Sequence, residues 1–169
     1  SAVAGPISHG EDAVNRAQNL VTQGLVTSNY VRARVLLGKA ELQAEAGNGV
    51  GALKSFEGAR QAFEKEVELP GALEAIAAIA ELSLEAKLDI DKKIVLAREL
   101  SMNNLAQRLQ LAELNRLLAS GKKKGWPNIS LENDQANHSL LVFKCRLHLA
   151  MGEAGEATQA LQAAKKTHA

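Results

Sequence analysis

Apolar residues recur along the chain at spacings of three and four, which is the period of an amphipathic helix. One window of this kind contains Val31, Val35, Leu36 and Leu42. A second window is made by the leucines Leu105, Leu109, Leu111, Leu114, Leu117 and Leu118. Alternation of apolar and polar residues, which is typical of a half-buried strand, is hard to find. The pattern therefore predicts an all-helical protein.

Glycine, proline and capping residues divide this pattern into segments. Gly24 and Gly47 end the first two helices, Asn48 caps the third, and Pro70 stands in the first turn of the fourth. Two glycines, a proline and three adjacent lysines mark the stretch "SGKKKGWPNIS" as a loop. The predicted helices, about seven or eight, span roughly 9–23, 29–46, 49–68, 71–87, 90–100, 104–119, 131–151 and 154–167. No Gly or Pro separates the fifth from the sixth, so a single continuous helix is the alternative there.

Two distant stretches of the chain share one register. A shift of 105 residues (157 − 52) maps one set of residues onto identical ones: Leu36 onto Leu141, Lys39 onto Lys144, Leu42 onto Leu147, Gly47 onto Gly152, Ala52 onto Ala157 and Ala59 onto Ala164. The shift is three times 35, and about 34 residues is the length of a helix-turn-helix unit in a stacked solenoid. A short helical motif has therefore been used more than once.

These residues resemble the tetratricopeptide repeat (TPR) family. Its positions 4, 8, 20, 24 and 27 read Leu36, Ala40, Ala52, Phe56 and Ala59 in one stretch and Leu141, Cys145, Ala157, Leu161 and Ala164 in the other. Small residues allow the two helices of a unit to approach closely, and bulky ones fill the space toward the next unit. The resemblance is clearest over 35–64 and 140–168 and weakens at positions 7 and 11, where the family's leucine and tyrosine are absent.

The resemblance implies a short TPR-like α-solenoid of antiparallel helix pairs, with one domain over 1–169 and a basic loop at about 120–130. A compact helical bundle is the alternative, because it also needs small residues where helices cross. The segment "QAAKKTHA" lacks an obvious polar capping helix, as expected for a fragment of a longer protein.

Members of this family commonly hold a peptide or helix of another protein on the concave face of the solenoid. The resemblance therefore implies a non-enzymatic interaction scaffold. Its partner-binding residues, by family position, are Arg34, Leu37, Glu41 and Glu45 in one repeat and Ser139, Val142, Arg146 and Leu149 in the other. TPR proteins that bind the C-terminal carboxylate of chaperones have lysine and asparagine at positions 5 and 9. Both residues are absent from these positions here, so a chaperone C-terminus is not the expected partner. The alternative is a sensory or oligomerisation domain of a larger transcription regulator.

Charge argues against a protein built mainly to coat nucleic acid, because the formal net charge is only +1. A local contact through Lys122, Lys123, Lys124 and Trp126 is the third hypothesis, since lysines bind phosphates and an indole stacks on bases. Solubilising lysines and a tryptophan folded back onto the core explain the same loop.

Catalytic and metal-binding motifs are not found. Cys145 and His148 are three residues apart, but two ligands do not make a zinc site, and packing explains both. No phosphate-binding loop or nucleophile elbow occurs, and the sequence predicts no cofactor and no enzyme. A lone cysteine favours a reducing, intracellular compartment without excluding export. The sequence contains no run of about 18 apolar residues, so it predicts no membrane-spanning helix. It does not determine the oligomeric state.

Overall fold

The computed structural model describes residues 6–24, 28–120 and 138–167, and the regular structure in these ranges is entirely helical. The helices are α1 (Pro6–Thr22), α2 (Asn29–Glu45), α3 (Gly49–Lys65), α4 (Leu69–Leu82), α5 (Ile90–Glu99), α6 (Asn103–Ser120), α7 (His138–Met151) and α8 (Ala154–Thr167). The all-α prediction is confirmed. The fifth and sixth predicted helices are separate, and α4 ends five residues before its predicted limit of 87 (87 − 82).

The chain divides into two compact units, residues 1–109 and 110–169. In the first unit, each helix from α1 to α4 packs against the next one along the chain. In the second unit, α7 packs against α8. Packing between neighbouring helices is what both a helical solenoid and a helical bundle require. The single domain over 1–169 stays a prediction, and residues 121–130 of the basic loop lie outside the described residues.

Small residues let α2 and α3 approach closely. Ala40, Ala52 and Ala59 have no exposed surface, and they lie in one cluster with the buried rings of Phe56 and Phe63. Alanine brings little side-chain volume to a helix crossing, so the backbones come together while the phenylalanines supply most of the buried apolar area. The prediction that alanine lies at the crossing of this pair is confirmed.

The same turn joins four pairs of consecutive helices. In each turn one residue takes the left-handed conformation, and these four residues are Gly47, Val67, Ser101 and Gly152. The N–H of this left-handed residue donates a hydrogen bond to the carbonyl of the residue three positions earlier. The N–H of the next residue donates to the carbonyl five positions before itself, and the two bonds together make a Schellman motif. The next helix then begins with a bond from the N–H of a buried alanine: Ala52, Ala72, Ala106 and Ala157. The turns at Val67 and Ser101 lie 34 residues apart (101 − 67).

The two hairpins that the sequence relates, α2–α3 and α7–α8, agree in their turns and in their buried alanines. Ala157 and Ala164 are 2% and 1% exposed, like Ala52 and Ala59 in the first hairpin. They differ at position 24 of the repeat, where Phe56 is buried and Leu161 is exposed. Between the hairpins the described residues contain three helices, α4 to α6, whereas two further hairpins need four.

Candidate functional site

Residues of the first unit on α2, α4 and α6, together with Phe56 on α3, line a groove of about 250 Å³. We call it the α2–α4–α6 groove. Its lining residues are Leu37, Glu41, Ala44, Glu45, Phe56, Glu74, Ala78, Glu81, Leu82 and Arg108. Three of them, Leu37, Glu41 and Glu45, belong to the set that the sequence predicts. The groove therefore brings together three of the four site residues predicted in the first repeat; the fourth, Arg34, does not line it.

Helix geometry explains why these side chains converge. On α2 the lining residues are 37, 41, 44 and 45, and on α4 they are 74, 78, 81 and 82. Both sets follow the spacing i, i+4, i+7, i+8, which keeps residues on one face of a helix. Most of the remaining residues of α4 are buried, so Glu74 and Glu81 place their charges on the one face of this helix that meets solvent.

Two ion pairs connect the helices that line the groove. The Arg34 guanidinium on α2 lies 3.3 Å from the Glu74 carboxylate on α4. Arg108 on α6 donates two hydrogen bonds, of 2.9 and 3.0 Å, to the two carboxylate oxygens of Glu81. The pairs are about half exposed, so each contributes about 0–1 kcal/mol to stability. As a result, the guanidinium groups of Arg108, which lines the groove, and of Arg34, which pairs with the lining residue Glu74, already have carboxylate partners.

Glu41 and Glu45 remain without such a partner. Neither carboxylate makes a hydrogen bond or an ion pair within the described part of the chain. Partial burial raises the pKa of Glu41, and the nearby carboxylates of Glu74 and Glu45 raise it further. The positive charges of Arg34 and Arg108 act in the opposite direction but do not cancel the shift. The ionised form of Glu41 in the groove is therefore destabilised by partial burial and by neighbouring carboxylates.

Replacing Glu41 with glutamine is expected to stabilise the protein by a few tenths of a kcal/mol at pH 7. Because the folded state raises the pKa of Glu41, the ionised carboxylate opposes folding at every pH above that raised value. The advantage of the glutamine should therefore shrink as the pH falls through the raised pKa toward the ordinary one. Urea unfolding of both proteins at pH 7 and pH 4 measures this difference. An equal difference at the two pH values contradicts the assignment.

The other half of the predicted site lies in the second unit. Val142, Arg146 and Leu149 are on α7, where the Arg146 guanidinium lies 5.5 Å from the centre of the Phe143 ring and Leu149 is 60% exposed. Ser139 is in the first turn of α7, but its side chain is not among the described residues. The loop residues Lys122, Lys123, Lys124 and Trp126 also lie outside the described part of the chain.

Gln43 and His148, which stand at position 11 of the TPR-like pattern in place of tyrosine, both have polar partners. The Ser55 hydroxyl donates a 2.6 Å hydrogen bond to the side-chain carbonyl of Gln43, across the α2–α3 hairpin. His148 Nδ1 lies 2.6 Å from a carboxylate oxygen of Glu153 at the turn between α7 and α8. Cys145 is a half-buried free thiol. Among the described residues, no three His, Cys, Asp or Glu side chains are grouped to hold a metal ion.

Three charged residues of the groove are missing from the predicted set, namely Glu74, Glu81 and Arg108. A sequence signal for the first two exists. They are the only charged residues of α4 and are seven positions apart, so they must share one face of an otherwise apolar helix. In the described residues, no helix has the length and apolar character that a membrane crossing needs.

No protein-family model, curated protein or solved structure matches this chain. The similarity to tetratricopeptide repeats therefore rests on the residues of this chain alone.

Proposed function

We propose that this chain is a non-enzymatic protein–protein interaction module that docks a peptide or helix of another protein in the α2–α4–α6 groove. One observation carries the proposal. Side chains from four helices converge on one concavity, and those on α2 and α4 have the same spacing; the concavity has a buried apolar floor and a charged, exposed rim. Protein interfaces have this composition, with an apolar centre that partner side chains fill and a polar edge in contact with water.

The chain's organisation supports the same function. A turn that recurs after 34 residues is what a protein built from helix pairs requires, since each pair has about that length. Helix-pair repeats stack so that the first helix of each pair lines a common concave surface, on which extended or helical partners bind. Counted from α2, the first helices of successive pairs are α2, α4 and α6, which carry all the residues that line the groove except Phe56.

The size of the groove favours a partner side chain over a small molecule. Pockets for drug-sized ligands measure about 300–1,000 Å³ and enclose most of the ligand. The α2–α4–α6 groove has about 250 Å³, and Glu41, Glu45 and Glu81 on its rim are exposed. It is therefore better suited to side chains that project from another protein. This supports a docking module more than the sensory domain that was the alternative.

Filling the groove is the direct test. In an Ala44→Trp variant, an indole on the groove-lining face of α2 should exclude a partner without changing any charge. Ala119→Trp is the matched control, because Ala119 is exposed on α6 and does not line the groove. Both variants and the wild type are immobilised and exposed to extract of the source organism. Captured proteins are then quantified by mass spectrometry.

We expect one or more proteins to bind the wild type and the Ala119→Trp variant equally and to be depleted at least about tenfold on the Ala44→Trp variant, since blocking a binding centre costs at least 1.4 kcal/mol. Circular dichroism and urea unfolding verify that both variants fold. Equal capture by all three proteins contradicts docking in this groove.

A further inference from the structure

We infer that the segment that docks in the α2–α4–α6 groove is basic, with a lysine or arginine next to at least one apolar residue. The inference rests on the proposed function and adds the chemistry of the partner. It follows from the charges that line the groove, from their pairing, and from the apolar surface between them.

The groove carries more negative than positive charge. Its carboxylates are Glu41, Glu45, Glu74 and Glu81; Arg108 also lines it, and Arg34, which is not a lining residue, pairs with Glu74 from outside the groove. Each guanidinium is already paired with one carboxylate, Arg34 with Glu74 and Arg108 with Glu81. Four carboxylates less two guanidinium groups leave two negative charges in excess. A ligand that complements this surface must bring positive charge.

The excess negative charge lies where a bound cation would relieve the most unfavourable interactions. Glu41 and Glu45 are four residues apart on α2, so their carboxylates lie on consecutive turns of one helix face and repel each other. Glu74 on α4 repels Glu41 as well. Since partial burial already disfavours the ionised form of Glu41, a cation bound between these groups relieves both costs. An acidic or neutral segment relieves neither.

The apolar part of the groove suits the stem of a basic side chain. Leu37 and Phe56 form its buried floor, while Leu82 is 43% exposed at its edge. Lysine and arginine pack their methylene groups on such a surface and keep the charged end near carboxylates. The exposed part of Leu82 offers contact area to an apolar neighbour in the partner. The groove therefore fits a mixed basic and apolar sequence better than a run of lysines.

Selection from a random peptide library tests the inference without knowledge of the natural partner. Phage that display random 12-residue peptides are selected on the full wild-type chain. Peptides that fail to bind the Ala44→Trp variant are retained, because only these depend on the groove. Retained peptides are synthesised with a fluorescent label, and their affinities are measured by fluorescence anisotropy.

We expect the retained peptides to be enriched in lysine and arginine next to apolar residues. Their affinity for the Glu41→Gln/Glu45→Gln variant should be about tenfold lower, because two charge contacts are lost, one of them with the partly desolvated Glu41 carboxylate. The Glu85→Gln/Glu99→Gln variant is the matched control, since it loses the same charge from exposed residues of the first unit outside the groove. Its affinity should equal that of the wild type. Raising the salt concentration should weaken binding to the wild type more than to the double-glutamine variant.

The outcomes separate the two proposals. If retained peptides are mostly neutral or acidic, or if both glutamine pairs bind them alike, the basic partner is wrong while docking in the groove stands. If the selection yields no peptide that Ala44→Trp excludes, the docking function itself is contradicted.

Discussion

Replacing Phe63 with alanine is expected to lower the free energy of unfolding by about 3–5 kcal/mol, the range for truncation of a buried aromatic residue. Phe63 has no exposed surface. The ring of Tyr30 on α2 is T-shaped to it, with the ring centres 6.1 Å apart. Gly71 on α4 also lies against the Phe63 ring. Truncation therefore opens a cavity at the junction of α2, α3 and α4.

Urea unfolding followed by circular dichroism measures this loss. Val50→Ala is a suitable control on the same helix, because Val50 is 86% exposed and its truncation should change stability by no more than about 0.5 kcal/mol. Since whole domains are stable by only about 5–15 kcal/mol, the Phe63 variant should unfold at a much lower urea concentration. A loss below about 1 kcal/mol contradicts the packing described for this junction.

Adding a single methyl group at Gly71 is the second large effect that we expect. A Cβ atom at this position lies 2.5 to 2.7 Å from three carbon atoms of the Phe63 ring, which is much closer than van der Waals contact. The ring is fully buried, so it cannot move aside into solvent. Gly71→Ala should therefore cost about 1–3 kcal/mol, as overpacking of a dense core does.

A double-mutant cycle identifies the cause of this cost. In a Phe63→Leu background the ring is absent, so Gly71→Ala should cost much less than it does in the wild type. Gly49→Ala is the control, because it also adds a methyl group to the first turn of a helix but meets no atom within 4 Å. That change should leave stability unchanged or raise it, since alanine favours the helix. Equal costs in the two backgrounds contradict a collision with Phe63.

Sequence patterns predict the helices of this protein well but find only two of its four recurrent turns. Gly47 and Gly152 are found because glycine adopts the left-handed conformation without strain. The same conformation at Val67 and Ser101 is invisible in the sequence, because other residues resist it by roughly 1–2 kcal/mol. For that reason the predicted third helix continues to 68, whereas α3 ends at Lys65. Tertiary packing around the buried alanines offsets the strain.

Three residues of the predicted site, all on α2, line one groove, and the prediction omits the charged groove residues of the other helices. Leu37, Glu41 and Glu45 are predicted because the resemblance to the TPR pattern is clearest in that stretch of the sequence. Glu74 and Glu81 are missed because the sequence of α4 is mostly apolar and predicts a buried helix. Two charged residues do not alter that prediction. Arg108 is missed because its role depends on an ion pair with a residue 27 positions earlier. No local pattern contains that information.

The recurrent turn also decides where this chain can change in length. In each of the four turns, the residue after the left-handed one makes two hydrogen bonds. Its N–H donates to a carbonyl of the preceding helix, and its carbonyl accepts the first hydrogen bond of the next helix. An inserted or deleted residue breaks both functions at once. The connection between α4 and α5, residues 83–89, is made differently and has no such double use. Insertions, tags and grafted loops should therefore be tolerated between α4 and α5 and rejected at the four turns.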